Sequence, residues 1–246
     1  MTDTTGLAAR SANATLRAPP PRQFFMTFRD IGLWIRSARA DAAVRQRSAG
    51  HDVAQAFEAL YRAKADPYGA ADPRYRYQAR KYAMLLSFLP ARPYRHVLEL
   101  GCGVGAFSRA LALHAESVTG IDIAASAVQH ATALSQGHVN LSFRPGDVHT
   151  FDSDGQQYDL IVVADVLYYA VPSGDEPALA AIARRVAASL VPGGLVLLAD
   201  HYFFGFGAAS RGTCAIHNVF RQTAGLQIQS QHRRCFYLTT LLQRNK

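Results

Sequence analysis

Apolar residues run through this chain in two rhythms, and the change falls near residue 95. Before it the spacing is helical. Phe24, Phe28, Ile31 and Ile35 recur at intervals of three and four, with Arg29, Arg36 and Arg39 between them. That pattern predicts helix from Phe24 to about Leu60. Asp66-Pro67-Tyr68-Gly69 and Asp72-Pro73 mark turns, and a second helix is predicted over Tyr77 to Leu89, stopping at Pro90. After residue 95 short apolar runs alternate with helical segments. Strands are predicted at 96–100, 117–121, 141–144, 159–164 and 194–200, and helices at about 105–114, 124–135 and 176–190. Such alternation implies right-handed βαβ units around a central parallel sheet. The rhythm changes again at the end. Leu226-Gln-Ile-Gln-Ser-Gln and Phe236-Tyr-Leu-Thr-Thr-Leu-Leu alternate with period two, which predicts a closing antiparallel hairpin.

Composition narrows the class. Of 246 residues 49% are hydrophobic, enough to bury a core in one large domain or a domain with an appendage. No apolar run is long enough to span a membrane as a helix. Residues 1–22, rich in Ala, Thr, Arg and Pro, lack the apolar centre of a secretory signal and read as a disordered lead-in. Cys102, Cys214 and Cys235 are scattered with no C-x-x-C, which argues against a disulfide scaffold or a metal site. A reducing, cytoplasmic setting is expected. The net charge of +8 is uneven: residues 1–95 hold 16 Lys/Arg against 7 Asp/Glu, and the remainder 10 against 11. A solvated basic face, an acidic substrate or membrane surface, and nucleic acid are the competing readings. Nucleic acid is the weakest of them, because no recognised binding module is visible. The helix from Phe24 is expected to dock on the main domain, with a basic interfacial helix on a membrane as the lesser alternative.

Chemistry concentrates in Val97-Leu-Glu-Leu-Gly-Cys-Gly-Val-Gly-Ala-Phe107. A buried strand feeds a tight turn whose bare backbone suits a nucleotide-like ligand. Gly101-x-Gly103-x-x-Ala106 satisfies the loose dinucleotide fingerprint, and Asp122 follows about twenty residues on, where a ribose would sit. Alone, the loop leaves a nicotinamide dehydrogenase and an S-adenosylmethionine methyltransferase both open, beside glycines that serve only the turn. Three further features bear on the choice. Glu99 opens a Glu-x-Gly-x-Gly-x-Gly pattern, Gly146-Asp147-Val148 follows the third strand, and the hairpin comes after Leu190-Val-Pro-Gly-Gly-Leu195.

Together these resemble the class I methyltransferases over about residues 50–246. The resemblance implies an α/β, Rossmann-like seven-stranded sheet with an antiparallel terminal hairpin, helices on both faces and an N-terminal helical lid. Residues 46–246 would form that domain, with the lid at 52–90, and residues 1–45 a partly disordered extension carrying an amphipathic helix. The implied cofactor is S-adenosyl-L-methionine. Its sulfonium cation gains from carboxylates, and Glu99, Asp122, Asp147 and Asp165 fall at predicted strand ends; lacking a pyrophosphate, it needs a helix N-terminus less. By the same resemblance Gly101, Gly103 and Gly105 let the backbone approach the ligand. Asp122 accepts from the ribose hydroxyls, Ile123 lies on the adenine, Asp147 holds its amino group and Val148 its ring edge. Ala164 and Arg80 complete the set, and Cys102 is a small residue fitted to the loop.

A closer match is Tyr158-Asp-Leu-Ile-Val-Val-Ala-Asp-Val-Leu-Tyr-Tyr169, similar to the fourth-strand segment of the nodulation protein S-like methyltransferases. Asp66-Pro-Tyr68, Arg80-Lys81-Tyr82, Leu89-Pro90, His201 and His217 resemble that family too. It includes an enzyme that N-methylates the free amine of a deacetylated chitooligosaccharide. The family commonly carries Glu where this chain has the shorter Asp165, and residues 1–45 find no counterpart. The match implies a lid helix with Tyr77, Arg80, Lys81 and Tyr82, in which Arg80 or Lys81 pairs with the cofactor's carboxylate, unless both are only a solvated face. Asp165, His201 and Tyr169 are the candidate catalytic residues, and Tyr68, Tyr168, Tyr202 and His217 the candidate acceptor contacts. His217 sits among Ile216, Val219 and Phe220, where packing is the stronger alternative. At least one of Tyr168 and Tyr169 is expected in the core. Phe203-Phe-Gly-Phe-Gly207 is either an apolar or sugar-stacking wall or a mobile loop. The expected activity is N-methylation of a small amine such as an amino sugar. O-methylation of a phenol or sugar hydroxyl is the alternative, and a non-catalytic cofactor-binding or assembly protein the rival of another class. A nicotinamide enzyme would want a Tyr-x-x-x-Lys pair, and a nucleic-acid amino-methylase an Asn/Asp-Pro-Pro-Tyr motif; neither follows the fourth strand.

Overall fold

The computed structural model describes residues 27–48, 52–153, 155–171, 175–202, 205–233 and 236–246. Seven strands form: β1 (Tyr94–Leu100), β2 (Ala115–Asp122), β3 (Leu141–Pro145), β4 (Tyr158–Ala164), β5 (Leu190–His201), β6 (Leu226–Arg233) and β7 (Tyr237–Arg244). The described helices are α1 (Ile31–Ser48), α2 (Val53–Ala63), α3 (Arg76–Ser87), α4 (Ala106–Leu111), α5 (Ala125–Leu134), the single turn α6 (Leu167–Ala170), α7 (Glu176–Ala188) and α8 (Gly207–Gln222). The strands make one sheet in the order β3-β2-β1-β4-β5-β7-β6. The first five are parallel, and β7 runs antiparallel between β5 and β6. This is the α/β sheet with a terminal hairpin that the sequence pattern predicts.

Side-chain alternation explains the central strands. Leu98, Leu100, Ile161, Val163, Val196 and Leu198 face one layer, where α7 supplies Leu179, Ile182 and Val186 and α8 supplies Ile216 and Phe220. Val97, Leu160, Val162, Leu195 and Leu197 face the other, against Met84 and Leu85 of α3 and Phe107 and Leu111 of α4. Strands covered on both sides read as near-continuous apolar runs, and each fully buried side chain contributes about 2 kcal/mol.

Several boundaries move. The single helix expected from Phe24 to Leu60 is two, with α2 opened by Asp52, whose side chain accepts from the Ala54 N–H at 2.9 Å. The helix expected at 105–114 ends at Leu111 and tightens into a 3-10 turn over Ala112–His114. β5 begins at Leu190, ahead of the expected 194, and its register with β4 shifts between Tyr158 and Leu160. The lead-in at 1–22 and the readings on Phe24, Phe203, Phe204 and Cys235 lie outside the described residues. No described helix is long and apolar enough to cross a membrane.

The N-terminal helices cap the carboxyl edge of the sheet. Ala40 and Val44 of α1 pack on Ala56 and Leu60 of α2, with Tyr68 and Tyr169 against the cluster. Glu58 of α2 accepts from the Ser126 N–H and hydroxyl at 3.0 and 2.6 Å, tying α2 to the first turn of α5. Asp30, just before α1, is fully buried. It accepts from the Thr27 N–H and hydroxyl, from the Tyr77 N–H at 3.0 Å, and from Arg80 at 2.7 Å. Asp30 thus caps the first turn of α3, whose own N-cap residue Tyr75 offers no side-chain bond.

Candidate active site

Two groups of residues meet at the carboxyl ends of β1, β2 and β4. The first surrounds the glycine loop. Gly101 has φ +75°, and a Cβ there would come within 2.7 Å of Val166, so no other residue fits without rebuilding. The Gly103 N–H donates to Asp122 Oδ2 at 2.8 Å, and the Ala124 N–H to Oδ1 at 3.0 Å. Asp122 therefore knits the loop to β2 and retains a lone pair on each oxygen. Burial pushes its carboxyl up, against those backbone bonds. Glu99 is 5% exposed and accepts from the Ser108 hydroxyl of α4. Burial, helped by the charge of Asp122 and opposed by Ser108, pushes Glu99 up to about 8. The Cys102 thiol is buried, and that burial pushes it well above its ordinary value. Gly105 precedes α4, Ile123 is half-buried, and Val148 is buried. Asp147 Oδ1 accepts from the His149 N–H at 2.8 Å, which fixes the turn after β3. Ala164 ends β4, half-buried.

The second group centres on Asp165, which has φ +56° although it is not glycine. Strain of this kind persists only where the surroundings over-determine it. Its N–H donates to the Ala199 carbonyl at 2.9 Å, and its carboxylate accepts from Lys81 and lies 3.1 Å from His201 Nδ1. Burial pushes Asp165 up, but Lys81 and His201 outweigh it and hold the carboxyl well below the usual range. Lys81 is 4% exposed, and its ammonium lies 4.5 Å from the Tyr237 ring centre and 5.8 Å from that of Tyr82. His201 ends β5 with its side chain 54% exposed and its ring centre 4.8 Å from Tyr237. An anion, a half-exposed imidazole and aromatic faces suit a cationic amine.

Other expected residues land elsewhere. Arg80 does not serve the glycine loop; it is committed to Asp30, and its neighbour Lys81 points inward instead. Tyr77, Lys81, Met84 and Leu85 form the buried stripe of α3, so helical spacing alone distinguishes Lys81 from Arg80. Tyr169 donates to Asp41 of α1 and lies edge-on to Phe57 at 5.0 Å, which makes it a fastening for the cap. Tyr168 packs beside the core, 4.4 Å from the Tyr169 ring. His217 is 1% exposed, with Nδ1 2.7 Å from Thr240 Oγ1 and Nε2 3.1 Å from Asp200 Oδ2. It is a satisfied core histidine, not an acceptor contact. The Tyr202 ring centre lies 5.9 Å from the Arg233 guanidinium. The Tyr68 ring lies 6.4 Å from that of Tyr61; its buried hydroxyl has no partner among the described residues, and burial first, then the charges of Asp41, Asp122 and Asp165, raise it. Tyr61 of α2 was not expected. Its hydroxyl would lie 2.9 Å from a Cβ at Gly103, so it covers the loop from above.

Residues 97–194 match a family model described as "Methyltransferase domain". The chain is similar to Nodulation protein S of Rhizobium tropici, 32% identical over 139 residues, which cover 56% of this chain and 53% of that protein. It is also similar to Ubiquinone biosynthesis O-methyltransferase of Coxiella burnetii (strain Dugway 5J108-111), 33% identical over 101 residues and 41% of each chain. The chain thus matches about half the length of its curated relatives. Among solved structures, N-methyltransferase NodS from Bradyrhizobium japonicum WM9 in complex with S-adenosyl-L-homocysteine aligns with TM-score 0.61 at 20% identity. That alignment covers 86% of this chain and 99% of the other, a likeness of fold.

Proposed function

The chain carries a class I, S-adenosylmethionine-dependent methyltransferase domain similar to Nodulation protein S, and from that premise we propose that it methylates the amine of a small molecule, such as an amino sugar. The site fits the cofactor on its own chemistry. Gly103, with no Cβ, lets the Tyr61 hydroxyl close over the loop, and Asp122 keeps lone pairs for ribose hydroxyls. Asp147, held in the turn after β3, is our assignment for the adenine amino group, and the buried Tyr68 hydroxyl, with no partner among the described residues, has a bond to give a ligand. When bound, the cofactor supplies a methyl group already activated on sulfur. The protein's own work is alignment, exclusion of water and handling of one proton. Lys81 holds Asp165 ionised, so its carboxylate accepts a hydrogen bond from the amine and turns the lone pair toward the donor. His201, next to Asp165 and open to solvent, takes the proton away. The observation that carries this reading is the Asp165 carboxylate bracketed by Lys81 and His201 under the Tyr237 ring. Unpaired thiols at Cys102 and Cys214 support the cytoplasm as its setting.

The test is incubation with methyl-labelled S-adenosylmethionine and a panel of amines, amino sugars and phenols. Label is expected in the amines, and its absence from all of them overturns the assignment. Calorimetry with S-adenosylhomocysteine checks the donor side. Asp122→Ala removes an acceptor for the ribose and weakens binding at least tenfold, roughly the worth of one hydrogen bond to a charged group. Retained affinity would place the cofactor elsewhere. A second reading, O-methylation, is favoured by the 3.1 Å His201–Asp165 pair, which has the form of a base with its orienting carboxylate. Under that reading His201→Ala lowers turnover at least about a hundredfold, whereas an amine acceptor tolerates the change far better.

A further inference from the structure

α1 is apolar on two sides, and the fold uses one. Its inner side, with Ala40 and Val44, is buried against α2. Its outer side, together with the turn before it, exposes Phe28 at 93%, Trp34 at 42%, and Ile31 and Ile35 at 40%. Helical spacing puts Phe28, Ile31 and Ile35 on one line, with Ala42 continuing it and Trp34 on its flank. The surrounding charge is of one sign. Arg29, Arg39, Arg45 and Arg47 are exposed. The two carboxylates of this segment are both engaged, Asp30 buried with Arg80 and Asp41 held by Tyr169 and Arg45.

We propose that the outer side of α1 is a docking surface for an anionic lipid bilayer. The free charge around the ridge is positive, so the occupant it matches is an apolar phase with an anionic surface. A bilayer needs no groove; it accepts an apolar ridge at the level of its headgroups while flanking arginines meet its phosphates. Trp and Phe suit that interfacial depth. The helix lies on the surface and does not span it, which agrees with the lack of a long apolar helix among the described residues. The inference is independent of the methyl acceptor, since none of these residues touches Asp122 or Asp165.

Trp34 is the only tryptophan in the chain, so its fluorescence reports on this face alone. The full chain is titrated with vesicles of phosphatidylcholine and phosphatidylglycerol in equal parts, and with phosphatidylcholine vesicles. The mixed vesicles should shift Trp34 emission to the blue and co-sediment the protein. Neutral vesicles should do so weakly, and added salt should reduce binding to the mixed vesicles only, as it screens the arginines. The triple variant Phe28→Ser, Ile31→Ser, Ile35→Ser should lower the bound fraction at least about tenfold. Arg39→Glu, a single exposed change that leaves packing intact, should lower it in the mixed vesicles only. No shift and no co-sedimentation with mixed vesicles overturns the proposal. So does binding that both variants leave unchanged, which would put the lipid contact elsewhere. Concentration-dependent self-association that the triple variant abolishes, without vesicle binding, assigns the face to a second copy and overturns it as well.

Discussion

Glu99 is a carboxyl kept near neutrality by its burial. Its folded value of about 8 stands above the ordinary 4.5, so the folded chain holds a proton there that the unfolded chain releases. The contribution to stability is complete below pH 4.5 and is lost as pH rises through 8, at up to about 1.4 kcal/mol per pH unit. Asp122 and Asp200, also raised, act in the same sense. The melting temperature is therefore expected to fall between pH 5 and 8, and Glu99→Gln should flatten that fall. Parallel profiles for the two proteins would remove the buried proton from the account. At this scale the sequence was partly legible. The glycines, Asp122 and Asp165 stand in motifs whose chemistry names them. Lys81 was available from helical spacing but was set equal to Arg80, and Tyr61 carries no motif at all. Its role exists only because α2 folds back over Gly103. His217 shows the reverse: a polar residue with a functional look that Thr240 and Asp200 satisfy inside the core.

The helices of the cap form their elements by unequal means. α2 has its own N-cap in Asp52, while α3 borrows one from Asp30, 47 residues away in sequence. A borrowed cap makes α3 depend on α1. Asp30→Ala leaves Arg80 short of its carboxylate and the first turn of α3 uncapped. Breaking such a buried pair should lower stability by about 3 kcal/mol, and chemical denaturation measures it. Faster amide exchange should appear in α1 and at the start of α3 while the central strands keep their protection. A uniform loss of protection would mean that the cap and the sheet fold as one unit. Elements of the sheet were legible because burial on both faces writes an apolar run for each strand. Those of the cap were less so. The division between α1 and α2 interrupts a continuous helical pattern, and the single turn α6 is too short for periodicity to register.

Across the whole molecule, the sheet order was legible as a class and not in its connection to the second half of the site. The terminal hairpin could be read from its period-two pattern, but not that β7 would bring Tyr237 beside His201 and over Lys81. That pairing needs β7 to enter between β5 and β6, which no local pattern encodes. The order has a consequence for birth on the ribosome. Tyr61 and Lys81 of the cap, the glycine loop, Asp122 and Asp165 all precede β5 in the chain. β6 emerges next, without the neighbour that will join it to the sheet, and waits for β7 to be made. The ring that seats Lys81 arrives with that last strand. The glycine loop therefore takes its place against β1 and β2 before the Tyr237 ring exists to hold Lys81 beside Asp165.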